Sequence, residues 1–529
     1  MTDTYFYTDV TRIGNKIHCI GYYNGKKFYN KVAYKPKLYL YTNSPTQYRS
    51  IRGRYLDPME FESMSEARNF IEKYRDVSNF DFCGMEKFEY AFIAEEFGDK
   101  LNYNLNDIVI LYIDTEVSAE DGFPSIDRAD KEFTLITAKY KDHYYTFGLK
   151  DYTPKADNVK YIKCIDERQL LVRFLAFWDK VRPDVITGWN IEGFDVPYLV
   201  RRIERVLGPE AVKKLSPYGR INERNFAGKF GKEQLGYEIC GVAIYDYLAI
   251  YKKFANSQQE SYKLDHIAHV ELGVRKLDYS EYGNLTRLYD ENFERYVDYN
   301  IRDTELIYRL EEKRKLIQLA LSMAYSARCN LSDVFKQTVM WDCIIYNYLL
   351  KRNIIVPSKR QKPSREFPGA FVKDPVPGMY EWVTTFDLNS LYPSLIMHYN
   401  MGPDTYIDEA ELSRRMASET DREKIAAMKF LLDNMDSGRV VLNNAYQGEH
   451  ISVLAAREIE NTYGEVLRLL QFDMTPNGAL FDVSYKGFLA ELLEQMYDER
   501  RDFKNKALQR QQQLIEVESE LKKRGVTLD

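Results

Sequence analysis

The sequence predicts a multidomain chain of mixed α/β and α+β class, and three observations carry that prediction. Its 529 residues exceed what one hydrophobic core organises, at roughly 100–200 residues per domain. From about residue 107 to about residue 316, short continuous apolar runs alternate with helix-periodic stretches. That is the texture of strands buried in a sheet with helices on its faces. The stretch from about Tyr485 to Arg524, by contrast, is one unbroken helical pattern.

Composition narrows the class further. A 45% hydrophobic content with a mean hydropathy of −0.49 describes a soluble globular chain. No run of about 18 consecutive apolar residues occurs, so no membrane span is expected. The start Met1-Thr2-Asp3-Thr4-Tyr5 is polar and acidic, unlike a secretory leader. Six cysteines stand singly, with no C-x-x-C pair. This excludes a zinc ribbon, argues against a disulfide framework and points to reduced thiols in a cytosolic setting. The balance of 74 Lys plus Arg against 80 Asp plus Glu gives −6, which leans against a nucleic-acid binder. Total charge does not exclude a local basic cleft, however. The 43 tyrosines against 4 tryptophans offer many ring platforms, most of them expected to serve packing.

Taken in order, the chain opens with strands and turns. Lys16–Tyr23, the turn Asn24-Gly25 and Lys27–Tyr29 read as a hairpin, and Met64–Tyr74 reads as a helix. Ile108–Ile113 is an apolar run typical of a strand buried on both faces, and it closes on Asp114-Thr115-Glu116. Strand side chains alternate, so Asp114 and Glu116 project from one side. Two such carboxylates repel unless something cationic lies between them. A second strand, Asp184–Trp189, leads through Asn190-Ile191-Glu192-Gly193-Phe194 to Asp195. Gly193 permits a tight approach, Pro197 suits the first turn of a helix running to Leu207, and Asp195 sits where a helix cap would. Phe226–Tyr237, with Gly228, Lys229, Phe230 and Gly231, suits an exposed hairpin tip. His266 and His269 lie three apart without further ligands of the right type, which favours a plain helix. Tyr299 and Asp303, four apart in a helical stretch, share a face.

Residues 317–358 read as helical, and Pro357, Pro363 and Pro368 punctuate a connection. Trp382–Phe386 reads as a strand ending at Asp387, followed by a turn and a helix beginning near Pro393. The last helical stretch carries Leu489, Leu492, Leu493 and Met496 at helical spacing, then Arg500, Arg501, Lys504 and Lys506, with Gly525 placed to end it.

The order of the three acidic pieces is a D-x-E strand, an N-x-x-x-F-D strand-loop-helix and a Y-x-x-x-D helix. It resembles the proofreading 3′→5′ exonuclease domain of family B DNA polymerases, an RNase H-like fold. The resemblance implies that Asp114, Glu116, Asp195 and Asp303 are metal ligands and that Tyr299 orients the attacking water. Lys276 matches a lysine near that site with ambiguous spacing. A set of carboxylates without His or Cys suits two Mg²⁺ ions, with Mn²⁺ as a substitute. The hairpin with Lys229 and Phe230 corresponds to one that helps separate the primer strand.

Asp387-Leu388-Asn389-Ser390-Leu391-Tyr392-Pro393-Ser394 is similar to the first polymerase motif of the same family, most nearly that of T-even-type phage replicative polymerases. By that resemblance Asp387 and the Leu388 carbonyl face metal, and amides near Ser390, Leu391 and Tyr392 bind the triphosphate. Tyr392 stacks under the sugar, and Arg500 and Lys504 contact the triphosphate from the first fingers helix. Phe367 and Gly369 belong to a linker motif that contacts template. The implied domains are an N-terminal domain (1–106), exonuclease (107–316) and a helical segment returning to the N-terminal domain (317–358). A partial palm (359–484) and the first part of the fingers (485–529) follow.

The K-x-x-x-N-S-x-Y-G and Y/G-D-T-D-S motifs that complete such a site do not occur in this sequence. The expectation is therefore the N-terminal subunit of a split phage replicative polymerase acting in the host cytoplasm. It would bind primer-template DNA and dNTP. A C-terminal polymerase chain would supply the remaining motifs, and a sliding clamp would be engaged through that chain. A stand-alone 3′→5′ exonuclease and a non-catalytic DNA-binding or assembly module are the alternatives.

Overall fold

The apolar strand before Asp114 becomes Ile110–Val117, the third-from-edge strand of a six-stranded mixed sheet. The computed structural model describes residues 3–77, 80–118, 122, 124–227, 233–255, 258–359, 374–388, 390–446, 454–475 and 478–524. It divides into two compact units, Met1–Ser50 with Tyr55–Arg360, and Ile51–Arg54 with Gln361–Asp529.

In the first unit the sheet runs Val159–Lys163, His143–Gly148, Phe133–Tyr140, Ile110–Val117, Val185–Gly188, Ala243–Asp246. Ile110–Val117, Phe133–Tyr140 and His143–Gly148 form an antiparallel meander. Val185–Gly188 and Ala243–Asp246 then continue the sheet in parallel. Alternation sends Leu111 and Ile113 into one core, which also buries Phe174 and Trp178 of helix Glu167–Val181 and Val196 and Leu199 of helix Asp195–Leu207. Tyr112, Val185 and Tyr245 face a second core with Tyr247 and Ile250 of helix Tyr247–Phe254, Ile267 of helix Leu264–Leu272 and Leu306 of helix Phe293–Arg314. Burial on both faces explains the unbroken apolar run in the sequence.

The expected N-terminal hairpin is present. Lys16–Tyr23 pairs with Lys26–Val32, and Asn24 and Gly25 turn with φ of 48° and 75°. Two consecutive positive φ values match the right-handed strand twist and favour Asn-Gly. The expected helix Met64–Tyr74 is capped by Ser63, whose hydroxyl accepts from the Glu66 amide, while the Glu66 carboxylate accepts from the Glu62 amide. Helices Leu316–Ala327 and Gln337–Leu350 lead to Ile354–Ile355, which pairs in parallel with Arg49 and Ser50. Asp184, fully buried, accepts from Thr8, Tyr22 and the Val109 amide and pairs with Lys27, tying the N-terminal strands to the central sheet.

Tyrosine proves to be a core residue here. Tyr7, Tyr198, Tyr245, Tyr247, Tyr251 and Tyr325 are fully buried. Their hydroxyls find partners, as when Tyr7 donates to the Cys329 carbonyl and Tyr325 to the Tyr7 carbonyl. All six cysteines are buried and free.

The second unit holds helices Leu391–His398, Glu409–Ser418, Arg422–Tyr446, Leu454–Leu470 and Phe488–Lys523 and the antiparallel strands Tyr406–Ile407, Leu480–Asp482 and Phe472–Met474. Its core gathers Ile407, Leu412, Met428, Leu431, Tyr463 and Leu480. The long terminal helix matches the sequence expectation. The strand expected at Trp382–Phe386 does not form: residues 381–388 are exposed and carry no ladder. A strand needs a neighbour to take its N–H and C=O groups, and none of the described strands lies alongside. Trp382 and Phe386 are consequently 97% and 92% exposed despite their apolar side chains.

Candidate active site

One face of Ile110–Val117 carries Asp114 and Glu116, and the other carries Thr115. Helix Phe293–Arg314 presents Tyr299 and Asp303 one turn apart, with Asn300 between them in sequence. The result is a trio, Asp114, Glu116 and Asp303, whose carboxylate oxygens lie within 4.8 Å of one another. Asp195 stands beside the trio rather than in it. It is the first residue of its helix, after Phe194 at the cap position, so it is not the cap itself. Its Oδ1 accepts from the Thr115 hydroxyl at 2.6 Å and the Thr115 amide at 3.2 Å.

The loop that delivers Asp195 is held tightly. Asn190 takes a left-handed φ of 66°, a conformation Asn tolerates better than most residues. Asp246, which caps helix Tyr247–Phe254, also accepts from the Asn190 and Glu192 amides. A Cβ on Gly193 would stand 2.7 Å from the Asn190 Oδ1, so a larger residue there would push the Asn190 side chain aside.

Lys276 enters from the segment after helix Leu264–Leu272. Its ammonium donates to the Tyr299 hydroxyl at 2.9 Å and to the Asp303 Oδ2 at 2.5 Å. Lys276 thus stands beside both Tyr299 and Asp303. Asn300, fully buried, donates its Nδ2 to the Asp114 Oδ2 at 2.6 Å. Sequence reasoning missed Asn300, Thr115 and Asp246. Of these only Asp246 left a signal, as an Asp between an apolar strand and a helix.

Electrostatics define what the site can hold. Burial first, and then the charges of Asp303, Glu116 and Asp195, push Asp114 well above the usual carboxylate range. Glu116 is raised by burial and by Asp303. Asp195 is pushed up to about 7 by burial, with the Thr115 hydrogen bonds opposing. Asp303 is raised by burial against the pull of Lys276. Burial lowers the Lys276 ammonium, but Asp303 and Tyr299 outweigh it and raise its pKa overall. Several carboxylates thus share one lysine in a partly buried site, and the Asp303 Oδ1 is buried without a partner among the described residues. Hard oxygen donors with uncompensated negative charge fit a divalent cation.

The second acidic segment is different. Asp387 and Leu388 lie in exposed chain, and Leu391 and Tyr392 are also exposed. Ser390 precedes helix Leu391–His398 with φ of 51°. The structure does bring Arg500 to this segment, its Nη1 donating to the Ser390 hydroxyl at 3.3 Å. Lys504 lies one turn further along Phe488–Lys523 and is exposed. Among the described residues, the grouping of three or more potential metal ligands is the Asp114 trio and does not involve Asp387. Strands Ile221–Ala227 and Glu233–Ile239 form the expected hairpin. Its tip with Lys229 and Phe230, and the linker with Phe367 and Gly369, lie outside the described residues.

Comparison with known proteins finds the same family in both halves of the chain. A model of the DNA polymerase family B exonuclease domain matches residues 72–267, and a model of DNA polymerase family B matches residues 331–521. The first includes Asp114, Glu116 and Asp195, whereas Tyr299 and Asp303 fall between the two matches. The DNA-directed DNA polymerases of Escherichia phage RB69 and Enterobacteria phage T4 are each 33% identical to this chain, with 76% of this chain and 47% of each relative covered. A DNA polymerase of Pyrococcus horikoshii is 26% identical over 59% of this chain and 24% of its own length. The chain spans about half the length of the phage relatives it matches. With matches of one family on both sides of Asp303 and these relatives, the chain belongs to DNA polymerase family B.

Proposed function

We propose that the first unit is a metal-dependent 3′→5′ DNA exonuclease serving proofreading. The observation that carries this reading is the convergence of Asp114 and Glu116 on one strand with Asp303 on a distant helix, with Lys276 and Tyr299 beside them. The sheet order, an antiparallel meander continued by two parallel strands, supports an RNase H-like fold. Asp114, Glu116, Asp303 and the neighbouring Asp195 would hold two divalent ions. Bound there, such ions supply Lewis-acid stabilisation of the attacking and leaving oxygens of a phosphodiester.

This chain's own residues do the rest. Lys276 fixes the Tyr299 hydroxyl by a hydrogen bond, so the phenol orients an attacking water. Burial first, and then the adjacent Asp303 charge, raises the Tyr299 pKa, so Tyr299 acts as a neutral donor and acceptor rather than as a phenolate. Asn300 holds the Asp114 carboxylate in one orientation, and Thr115 does the same for Asp195.

The second unit contributes half of a polymerase site. In this reading Asp387 and the Leu388 carbonyl bind metal, Ser390, Leu391 and Tyr392 receive the triphosphate of a dNTP, and Arg500 and Lys504 clamp it. The Arg500–Ser390 contact supports that assignment. Lys229 and Phe230 touch the primer strand, and Phe367 and Gly369 the template. Nucleotide addition then draws its second carboxylate from a C-terminal polymerase chain, through which a sliding clamp is engaged, in the cytoplasm of a phage-infected host. Among the described residues, no helix is long and apolar enough to cross a membrane.

The test uses single-stranded DNA labelled at either end. The expected result is Mg²⁺-dependent release of mononucleotides from the 3′ end, abolished in Asp114→Ala. Release from the 5′ end, or activity surviving that substitution, would overturn the reading. Primer extension by this chain alone would overturn the requirement for a second one, and restored synthesis on adding a chain bearing the missing motifs would support it.

A further inference from the structure

At the opposite end of the central sheet from the carboxylates lies a cleft of about 830 Å³. Its wall includes Pro183, Gly241 and Val242, which precede the parallel strands Val185–Gly188 and Ala243–Asp246. Val185 pairs with Ile110, so Asp114 lies four residues, or about 13 Å, further along the strand direction. The cleft is therefore separate from the candidate exonuclease site, and its lining lies wholly within the first unit.

Its chemistry is two-sided. Leu175, Trp178, Leu215 and Val242 supply an apolar floor, while Val172 and Tyr29 are half-exposed at 51% and 42%. Around them stand four cations, Lys27, Arg168, Arg182 and Lys214, against one lining carboxylate, Asp179. Lys27 is matched by Asp184, and Arg182 faces Asp179 at 3.9 Å. Arg168 spends one N–H on the Val206 carbonyl and has no carboxylate partner among the described residues. Lys214 is exposed and likewise has no carboxylate partner among the described residues. Such a positive rim is a local departure in a chain whose net charge is −6. The size falls within the roughly 300–1,000 Å³ of small-molecule sites, whose walls are mostly apolar with a few placed polar groups. An apolar slot edged by an exposed tyrosine takes a flat ring, and such Arg and Lys side chains take phosphate.

We propose that this cleft is a second, non-catalytic site for a nucleoside phosphate. The ligand is either a free mononucleotide or one nucleotide unit of a single strand. The base lies on the Val172–Leu175–Val242 floor beside Tyr29, and the phosphate lies between Arg168 and Lys214.

The probe is 8-azido-dATP, photolysed on the full chain in EDTA so that the carboxylate site is idle. Cross-linked peptides from residues 167–182 or 211–217 are expected. Labelling should fall at least tenfold in Arg168→Glu with Lys214→Glu, and also in Val172→Glu, which leaves every hydrogen bond in place. Mg²⁺-dependent exonuclease rate and melting temperature should stay at wild-type values in Val172→Glu. Competition separates the sources. Displacement by dAMP at concentrations comparable to an equimolar oligothymidylate marks a free nucleotide, and displacement by the oligomer at tenfold lower concentration marks a strand. Label mapping elsewhere, or undiminished in both variants, overturns the proposal.

Discussion

Two acidic segments of this chain carry comparably specific sequence patterns, and they fold to opposite outcomes. Asp303 is 3% exposed, ion-paired to Lys276 and within ligand distance of Asp114 and Glu116. Asp387 lies among exposed residues, and the apolar run before it is not in a sheet. The difference is one of partners rather than of local signal. Asp114 sits on a strand with neighbours on both sides, under a 22-residue helix. The position of that carboxylate is thus fixed by hydrogen bonds and packing distributed over the whole unit. Trp382–Phe386 has strand propensity without a strand to pair with, and a lone strand is not stable in water.

The largest effect that probes this contrast is the loss of a trio carboxylate. Asp303→Asn or Asp114→Asn should lower the exonuclease rate by about 10²–10³-fold, the range for removing one well-placed electrostatic group. Asp114→Asn should also raise the melting temperature in EDTA, because it relieves repulsion from Asp303, Glu116 and Asp195 without breaking the Lys276 ion pair. Calorimetry without metal checks that sign, and a fall in melting temperature would contradict it.

Next comes Asn300→Leu, which removes the donor to Asp114 and keeps the volume. Outer-shell partners of metal ligands typically affect affinity or activity by about 10–100-fold. The Mg²⁺ concentration for half-maximal activity should rise by such a factor, whereas a purely structural role would leave the metal requirement unmoved.

A smaller effect belongs to the second unit, which has an ordered polar cluster of its own. Burial pushes the Glu411 carboxyl up, but hydrogen bonds and charge from Arg414 and Arg415 outweigh it and hold the pKa at about 2. A carboxylate depressed in the folded state stabilises the fold above its unfolded pKa, near the ordinary glutamate value of 4.5, and loses that contribution as pH falls towards 2. Melting curves between these limits should show Glu411→Gln less acid-sensitive than wild type. An unchanged acid slope would sink the assignment.

Smallest of all is Asp387→Asn. Exposed and outside any metal grouping of the described residues, it should leave the exonuclease rate within twofold and stability within about 0.5 kcal/mol. A large change in either would mean that the two acidic segments are coupled.

Much of the first unit was legible in the sequence because its signals are local and its partners are present. The Asn24-Gly25 hairpin, helix Met64–Tyr74, the apolar strand before Asp114 and the Tyr299–Asp303 helix face all appear where periodicity and turn chemistry put them. The four carboxylates could be listed, but not that Asp195 hangs on Thr115 one step from the trio. That depends on which face each strand residue takes at the sheet's end. Asn300 was invisible for a related reason. A mid-helix Asn reads as solvated until the strand beneath it is known. At Trp382–Phe386 apolar alternation promised a strand, but pairing is a property of two segments and cannot be read from one.

The most direct test counts tight divalent sites by Mn²⁺ electron paramagnetic resonance, on the wild-type chain, Asp303→Asn and Asp387→Asn. The account predicts tight binding in the wild type, its loss in Asp303→Asn and its retention in Asp387→Asn. Tight Mn²⁺ binding that survives Asp303→Asn, or that vanishes in Asp387→Asn, would contradict it.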